Sequence, residues 1–332
     1  VYNHTGREFF AFQDILEKGE KSKYLDWYFI DELPPRGEWG EIPNFKCFGY
    51  YGGMPKLNLK NPEVEKYITD VACYWIKECD IDGWRLDVGD EISHFFWKNF
   101  RKAIKAVKKD MLIIGEIWHY AGDFLEGDEW DTVMNYPFYL NLIDLLADEK
   151  INVSQFIQNL GYLKGRLNKK CYPLMWNLID SHDTARFLHL CNDNKKKQHL
   201  AAAFQLLLPG MPMIYYGDEF AMPGANDPDC RRGMYWDEEY QDKEMFEWYK
   251  QLLKVRKNHA CIVEGEPLEI AARDGEETIV LTRKNDEETL ALIFNCSSSA
   301  RMFNEYAQKY DLLRENPFDG KIEGLDAAVI VL

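Results

Sequence analysis

The chain has 332 residues, 46% of them hydrophobic and 29% charged, and a formal charge of −16. That length suits about two domains, or one α/β barrel with a small addition, and so acidic a chain repels phosphate backbones, which argues against nucleic acid as a partner. The longest apolar region, Leu200 to Tyr216, is broken by Gln205, Pro209, Gly210 and Pro212, too short to span a bilayer, which excludes a membrane-embedded protein.

From Asn3 to about Asn58 the chain is rich in Gly, Pro and aromatics and has no sustained periodicity; Leu33 to Gly37 and Tyr51 to Pro55 read as turns and irregular loop. An alternation of helix and strand follows. Asn61 and Pro62 are an N-cap and first helical residue, and Val64, Ile68, Val71, Ala72, Trp75 and Ile76 recur at helical spacing. Gly83 to Val88 reads as a strand, Ser93 to about Lys109 as a helix, and Met111 to Ile114 as a buried strand ending at Gly115-Glu116. Val133 to Leu140, Leu174 to Ile179 and Met213 to Tyr216 read as further strands, with helices after Ser154, over Lys196 to Leu208 and over Glu244 to Lys257. Strands alternating with helices imply a parallel sheet under helical cover, whose chemistry gathers at the C-terminal strand ends. Beyond about His259 the texture changes. Glu277 to Thr282, Leu290 to Phe294 and Ala328 to Leu332 read as antiparallel strands of a separate small β domain.

Ten Trp, nineteen Tyr and nineteen Phe make up 14% of the chain. Any single one is first a core residue, yet a surplus of aromatics beside carboxylates also suits neutral sugars, whose ring faces stack on them. The eight cysteines form no CxxC pair and no cluster with zinc spacing, so free, mostly buried thiols in a reducing compartment are expected. With no basic region leading into an apolar core at the start, this favours the cytoplasm over export.

Three carboxylates stand at strand ends. Asp87 closes Gly83-Trp84-Arg85-Leu86-Asp87, and the period of two points Arg85 and Asp87 the same way, so a guanidinium favours the ionised carboxylate that a nucleophile requires. Glu116 follows an apolar strand beside Trp118, a setting that favours a protonated acid. Asp183 follows His182 after the strand at Leu174 to Ile179. Singly, each has a plain reading as a helix cap, ion-pair partner or satisfied polar group. Together, carboxyls in opposite protonation states are the apparatus of glycoside hydrolysis.

In order along the chain, Val1-Tyr2-Asn3-His4, Gly83 to Asp87, Gly115-Glu116 and Asn177 to Asp183 resemble the four motifs of the α-amylase family, glycoside hydrolase family thirteen. Met54-Pro55-Lys56-Leu57-Asn58, Tyr216 to Glu219 and Asp227 to Arg232 are similar to the neopullulanase, cyclomaltodextrinase and maltogenic amylase branch. The resemblance implies a (β/α)8 TIM-type barrel over residues 1–258, with a loop excursion over about 5–57, then a β domain over 259–332. It implies Asp87 as nucleophile, Glu116 as acid/base and Asp183 as the carboxylate that binds the sugar, with His4, Arg85 and His182 beside them. Trp118 and Glu91 would serve the acceptor side, and Asp227 and Arg231 the outer donor subsites. Val88-Gly89-Asp90-Glu91 departs at Asp90 from the branch's Val-Ala-Asn-Glu, which leaves the balance of hydrolysis and transfer open. No cofactor is required; Asn3 matches a calcium ligand common in the family, so calcium stays an option.

The expected reaction is retaining cleavage of α-1,4-glucosidic bonds in cyclodextrins, maltooligosaccharides or pullulan. An α-glucosidase-type member and a non-catalytic sugar-binding fragment are the alternatives. Because the chain begins inside the first motif, the barrel is expected to lack its first strands and to be completed by upstream residues or by a second copy in a homodimer.

Overall fold

In the computed structural model, residues 1–37 and 40–332 are described, and they gather into two compact units, Val1–Met134 and Asn135–Leu332. In the first unit, the stretch expected to be irregular carries one helix, α1 (Phe10–Lys18), which buries Ala11, Phe12 and Ile15. The rest of that stretch is tied down by isolated bridges, His4 to Lys56, Tyr28 to Leu57, Ile30 to Phe45 and Cys47 to Pro55. Helix α2 (Pro62–Cys79) starts where expected, with the Asn61 side chain accepting the Glu63 N–H at 2.9 Å, and buries Val64, Ile68, Ala72 and Ile76. Trp75, expected on that face, is exposed.

Strand β1 (Gly83–Leu86) leads through a short turn to α3 (His94–Val107), capped by Ser93 and buried along Phe96, Trp97, Phe100 and Ile104. Strand β2 (Leu112–Gly115) pairs in parallel with β1, Gly83 opposite Leu112 and Leu86 opposite Gly115, and with β3 (Thr132–Val133) on its other side. Asp87 and Glu116 thus follow directly on two hydrogen-bonded strands in register.

The second unit corrects one expected strand. Val133 to Leu140 is not a strand: β3 ends at Val133, and α4 (Tyr136–Leu146) begins after Asn135, whose side chain accepts the Phe138 N–H at 3.3 Å. Most of α4 is buried, including Tyr136, Phe138, Tyr139, Leu142, Leu145 and Leu146, so its sequence lacks the polar stripe that would distinguish helix from strand. Helix α5 (Val153–Arg166) opens with a reciprocal cap between Asn152 and Gln155. The paired strands β4 (Trp176–Asn177) and β5 (Met211–Pro212) are short and parallel, narrower than Leu174 to Ile179 and earlier than Met213 to Tyr216. Leu178 and Ile179 are fully buried but unladdered, so the apolar run reported burial rather than pairing. Between these strands lie α6 (Phe187–Leu190) and α7 (Lys195–Leu207).

Helices α8 (Lys243–Asn258) and α9 (Cys261–Glu264) lead into the C-terminal strands. These are β6 (Glu266–Arg273), β7 (Thr278–Lys284), β8 (Thr289–Asn295), β9 (Arg301–Met302), β10 (Tyr310–Asp311), β11 (Asn316–Pro317), β12 (Lys321–Ile322) and β13 (Asp326–Val331). Six of them form one sheet in the order β11-β10-β13-β8-β7-β6, with antiparallel pairing throughout. Strand β6 escaped the sequence reading because it is the sheet edge, exposed and carrying Glu266, Pro267 and Glu269. One face of the sheet joins the core of α4, α7 and α8, where the Phe204 and Phe294 rings stack at 4.2 Å. Among the described residues, no helix is long and apolar enough to cross a membrane.

Candidate active site

The first unit brings four of the expected site residues together. Arg85 lies on β1 two residues before Asp87, and its Nη1 donates to Asp87 Oδ1 while its Nη2 stands 3.4 Å from Glu116 Oε1. Glu116 is buried, but its carboxylate meets donors on every side. Val88 N–H donates to Oε2 at 2.8 Å and Trp118 Nε1–H to Oε1 at 3.0 Å. The backbone fixes the pair as well: Glu116 N–H donates to Leu86 O at 2.8 Å and Gly89 N–H to Glu116 O at 3.2 Å. The apolar setting expected for Glu116 is therefore met in its burial and not in its contacts.

The turn after β1 and the 54–58 segment meet at Glu91. Glu91 accepts from Asn3 Nδ2 at 3.0 Å and from Lys56 Nζ at 2.7 Å. The His4 ring stacks on Phe48 at 5.1 Å; burial lowers its pKa, against the pull of the Asp87 charge. Asp90, the departing residue, pairs with His119 Nε2 at 3.1 Å. Trp118 keeps its indole part exposed while its N–H holds Glu116.

The second unit gathers His182, Asp183, Asp227 and Arg231. His182 Nε2 lies 3.1 Å from Asp183 Oδ2, and Arg231 Nη2 3.0 Å from Asp183 Oδ1. Arg231 Nε also meets Asp227 Oδ1 at 2.9 Å, so the plain ion pair between Asp227 and Arg231 exists and extends to Asp183. The turn carrying Asp183 is fastened from within, since Asp183 N–H donates to Ser181 Oγ at 3.2 Å and Ser181 N–H to Thr184 Oγ1 at 2.9 Å.

Asn3 bears on calcium. Its side chain is fully buried and its Oδ1 accepts no hydrogen bond, which is what a spare oxygen ligand looks like. Calcium takes about six to eight oxygens, however. Among the described residues no group of three or more His, Cys, Asp or Glu could hold a metal ion. Of the oxygens a calcium ion would need, the described residues offer the spare Oδ1 of Asn3 without a cluster of acidic side chains to accompany it.

The catalytic-domain profile of the alpha-amylase family matches residues 1–265. The chain belongs to that family. It is 45% identical over 300 residues to a cyclomaltodextrinase of Geobacillus thermopakistaniensis (strain MAS1), a match covering 90% of this chain and 51% of that protein. To neopullulanase 2 of Thermoactinomyces vulgaris it is 45% identical over 266 residues, covering 80% of this chain and 45% of the relative. Among solved structures a cyclomaltodextrinase superposes with a TM-score of 0.93 at 36% identity, over 99% of this chain and 59% of that one. The chain spans about half the length of the curated relatives it matches. Its fold is the family's TIM-type barrel followed by an antiparallel β domain, as expected, and its relatives come from the branch that the 54–58 and 227–232 segments indicated.

Sequence reasoning passed over Lys56 and the buried Arg186. Lys56 had a signal, since it sits inside the Met54 to Asn58 motif and is the cation facing Glu91. Arg186 and Asp218 pair at 3.1 Å with both side chains buried, 32 residues apart in sequence, which no spacing rule anticipates.

Proposed function

We propose that this chain carries the catalytic residues of a retaining glycoside hydrolase that cleaves α-1,4-glucosidic bonds in cyclodextrins, maltooligosaccharides or pullulan. The observation that carries this reading is the single guanidinium of Arg85 facing both Asp87 and Glu116. Adjacent strands lie about 4.8 Å apart, and retaining carboxyl pairs about 5–5.5 Å. Two carboxylates that follow in-register parallel strands suit that spacing, whereas an inverting pair needs about 6.5–9.5 Å to admit a water.

In the first step Asp87 attacks the anomeric carbon as the glycosidic bond breaks, and Glu116 gives its proton to the leaving oxygen. In the second, Glu116 takes a proton from water or an acceptor hydroxyl, whose oxygen displaces Asp87 from the anomeric carbon. Arg85 holds the Asp87 oxygen in line and balances its charge. Asp183, oriented by His182 and Arg231, binds sugar hydroxyls more tightly as the ring flattens toward the oxocarbenium ion, which is differential binding of the transition state. Trp118 borders Glu116, where an acceptor arrives, Glu91 and Asp90 follow on the turn after Asp87, and His4 offers a neutral imidazole to a hydroxyl. Asp227 and Arg231 serve longer substrates. The substrate is thus an α-glucan, the division of labour is a catalytic barrel over 1–258 with a β domain over 259–332, and the eight free thiols suit the cytoplasm.

The test is β-cyclodextrin hydrolysis by the full-length protein, followed by proton NMR. Release of the α-anomer first supports retention; release of the β-anomer, or no cleavage of any α-1,4-glucan, overturns the reading. Faster turnover of maltose than of cyclodextrin would assign the α-glucosidase specificity instead.

A further inference from the structure

Beneath the His182–Asp183 turn of the second unit lies a cluster of charge that the proposed reaction does not use. Asp180, Arg186 and Asp218 are each at most 1% exposed. Burying one unpaired charge costs several kcal/mol, so three in contact must balance. One cation and two carboxylates do not, unless one carboxyl keeps its proton.

The hydrogen bonds point to where that proton lies. Asp180 Oδ2 accepts the Phe187 N–H at 2.7 Å, and Asp218 Oδ1 accepts from Arg186 Nη1 at 3.1 Å. The remaining oxygens, Asp180 Oδ1 and Asp218 Oδ2, are buried with no donor. The two carboxyls stand within hydrogen-bonding reach of one another. Two facing carboxylates are acceptors only. One proton between them satisfies both oxygens and leaves the cluster, with Arg186, at net zero charge.

We propose that Asp180 and Asp218 share one proton in a buried cluster with Arg186 that positions the His182–Asp183 turn and the Cys230–Arg231 segment. Arg186 reaches the Cys230–Arg231 segment directly, and the His182–Asp183 turn through Cys230. Its Nε–H donates to Cys230 O at 3.1 Å and Nη1–H to Tyr216 O at 2.7 Å, while its own backbone N–H donates to Gly224 O at 2.9 Å. Its guanidinium lies 3.9 Å from the Tyr215 ring centroid and 4.8 Å from that of Tyr216. Cys230 Sγ donates in turn to His182 O at 3.4 Å, and its neighbour Arg231 grips Asp183. The pair therefore anchors, through Arg186, both ends of the contact between Asp183 and Arg231.

The surroundings hold the proton in place. Burial raises Asp180 to about 6 against the pull of Arg186 and the Phe187 N–H, and raises Asp218 well above the usual carboxylate range. From α8 the fully buried Tyr249 hydroxyl faces the pair, and from α7 Gln198 Nε2–H donates to Asp218 O at 3.0 Å. Neither supplies a charge. The pair titrates as a unit, in two steps set apart by the shared hydrogen bond.

Isotope-edited infrared spectroscopy on full-length protein with labelled aspartate tests the proton directly. At neutral pH a protonated-carboxyl C=O stretch is expected in the wild type and is lost in Asp218→Asn; its absence from the wild type overturns the shared proton. An amide replaces a protonated carboxyl, so Asp218→Asn should keep kcat/KM for maltooligosaccharides within about threefold. The double variant Asp180→Asn/Asp218→Asn strips Arg186 of its counter-charge and should raise KM about tenfold or more, with kcat less affected. Should that protein not fold, Arg186→Lys, which keeps the cation but loses the bonds to the Cys230 and Tyr216 carbonyls, should raise KM in the same way; unchanged KM in a folded Arg186→Lys overturns the positioning role. The positioning role rests on the glucan-hydrolase reading, but the infrared result does not, so an inactive wild type with the carboxyl band present would sink that reading alone.

Discussion

A guanidinium that faces two carboxylates, as Arg85 faces Asp87 and Glu116, would both orient the proposed nucleophile and bring the proposed acid/base to the same place. Under the proposed mechanism, removing the Asp87 carboxylate oxygen leaves that geometry and takes away the chemistry. Asp87→Asn should therefore lower kcat by at least about a thousandfold with little loss of stability, since an amide is isosteric and Asp87 is only part-buried. Steady-state kinetics beside thermal unfolding check this, and a retained kcat would remove Asp87 from the role. Arg231 is proposed to hold substrate by contact rather than by chemistry. Both its partners are part-exposed, so Arg231→Ala should cost less than about 1 kcal/mol of stability. It should instead raise KM, and more for maltohexaose than for maltotriose. Equal effects on both lengths would make the contact with Asp183 and Asp227 structural only.

A ring lies across the end of strand β2, one residue before Glu116. A Cβ on Gly115 would stand 2.3 Å from Trp130 Cε3, and Trp130 is itself pinned, stacked on Phe124 at 4.2 Å. Gly115→Ala should thus cost about 1–3 kcal/mol, and it should also lower kcat, because the strain falls one residue before Glu116, the proposed acid/base. Denaturant unfolding and kinetics on the same sample test the pairing of the two effects. In the second unit an arginine closes α7. Arg256 on α8 donates to Leu206 O at 2.7 Å, to Leu208 O at 3.1 Å and to Gly210 O, satisfying carbonyls that the helix end leaves open. Burial pushes its pKa down to about 10, still charged at neutral pH. Arg256→Ala should destabilise by about 1.5–3 kcal/mol, seen as a lower denaturant midpoint. A midpoint equal to that of the wild type would mean that water replaces the guanidinium without loss.

Across the whole molecule, acidic residues outnumber basic ones, 56 to 40, and the buried Asp180–Asp218 pair sets a pH dependence opposite to that of an ion-paired surface carboxylate. Asp180 is lifted by burial from 3.8 to about 6 in the folded state. A raised folded value means that the folded state holds the proton more tightly than the unfolded chain. Its contribution is fully present below about pH 4 and is lost as pH rises through about 6. Subtracting the Tm–pH curve of Asp180→Asn from that of the wild type should leave a component that falls across this window; a rising component would reverse the assignment. The sequence alone determined the family, the carboxylates at strand ends, the caps at Asn61 and Ser93 and the switch to antiparallel strands, because each is local: a motif, a spacing of two or of 3.6 residues, a capping side chain. Helix α4 and the edge strand β6 were not legible, one because burial on most sides erases periodicity, the other because an exposed edge carries no apolar alternation. Only the tertiary structure decided that Glu116 meets donors rather than an apolar wall, that Arg231 joins Asp227 to Asp183, and that Asp180, Arg186 and Asp218 share one buried space. Contacts between residues tens of positions apart follow from packing, and packing leaves no period in the sequence.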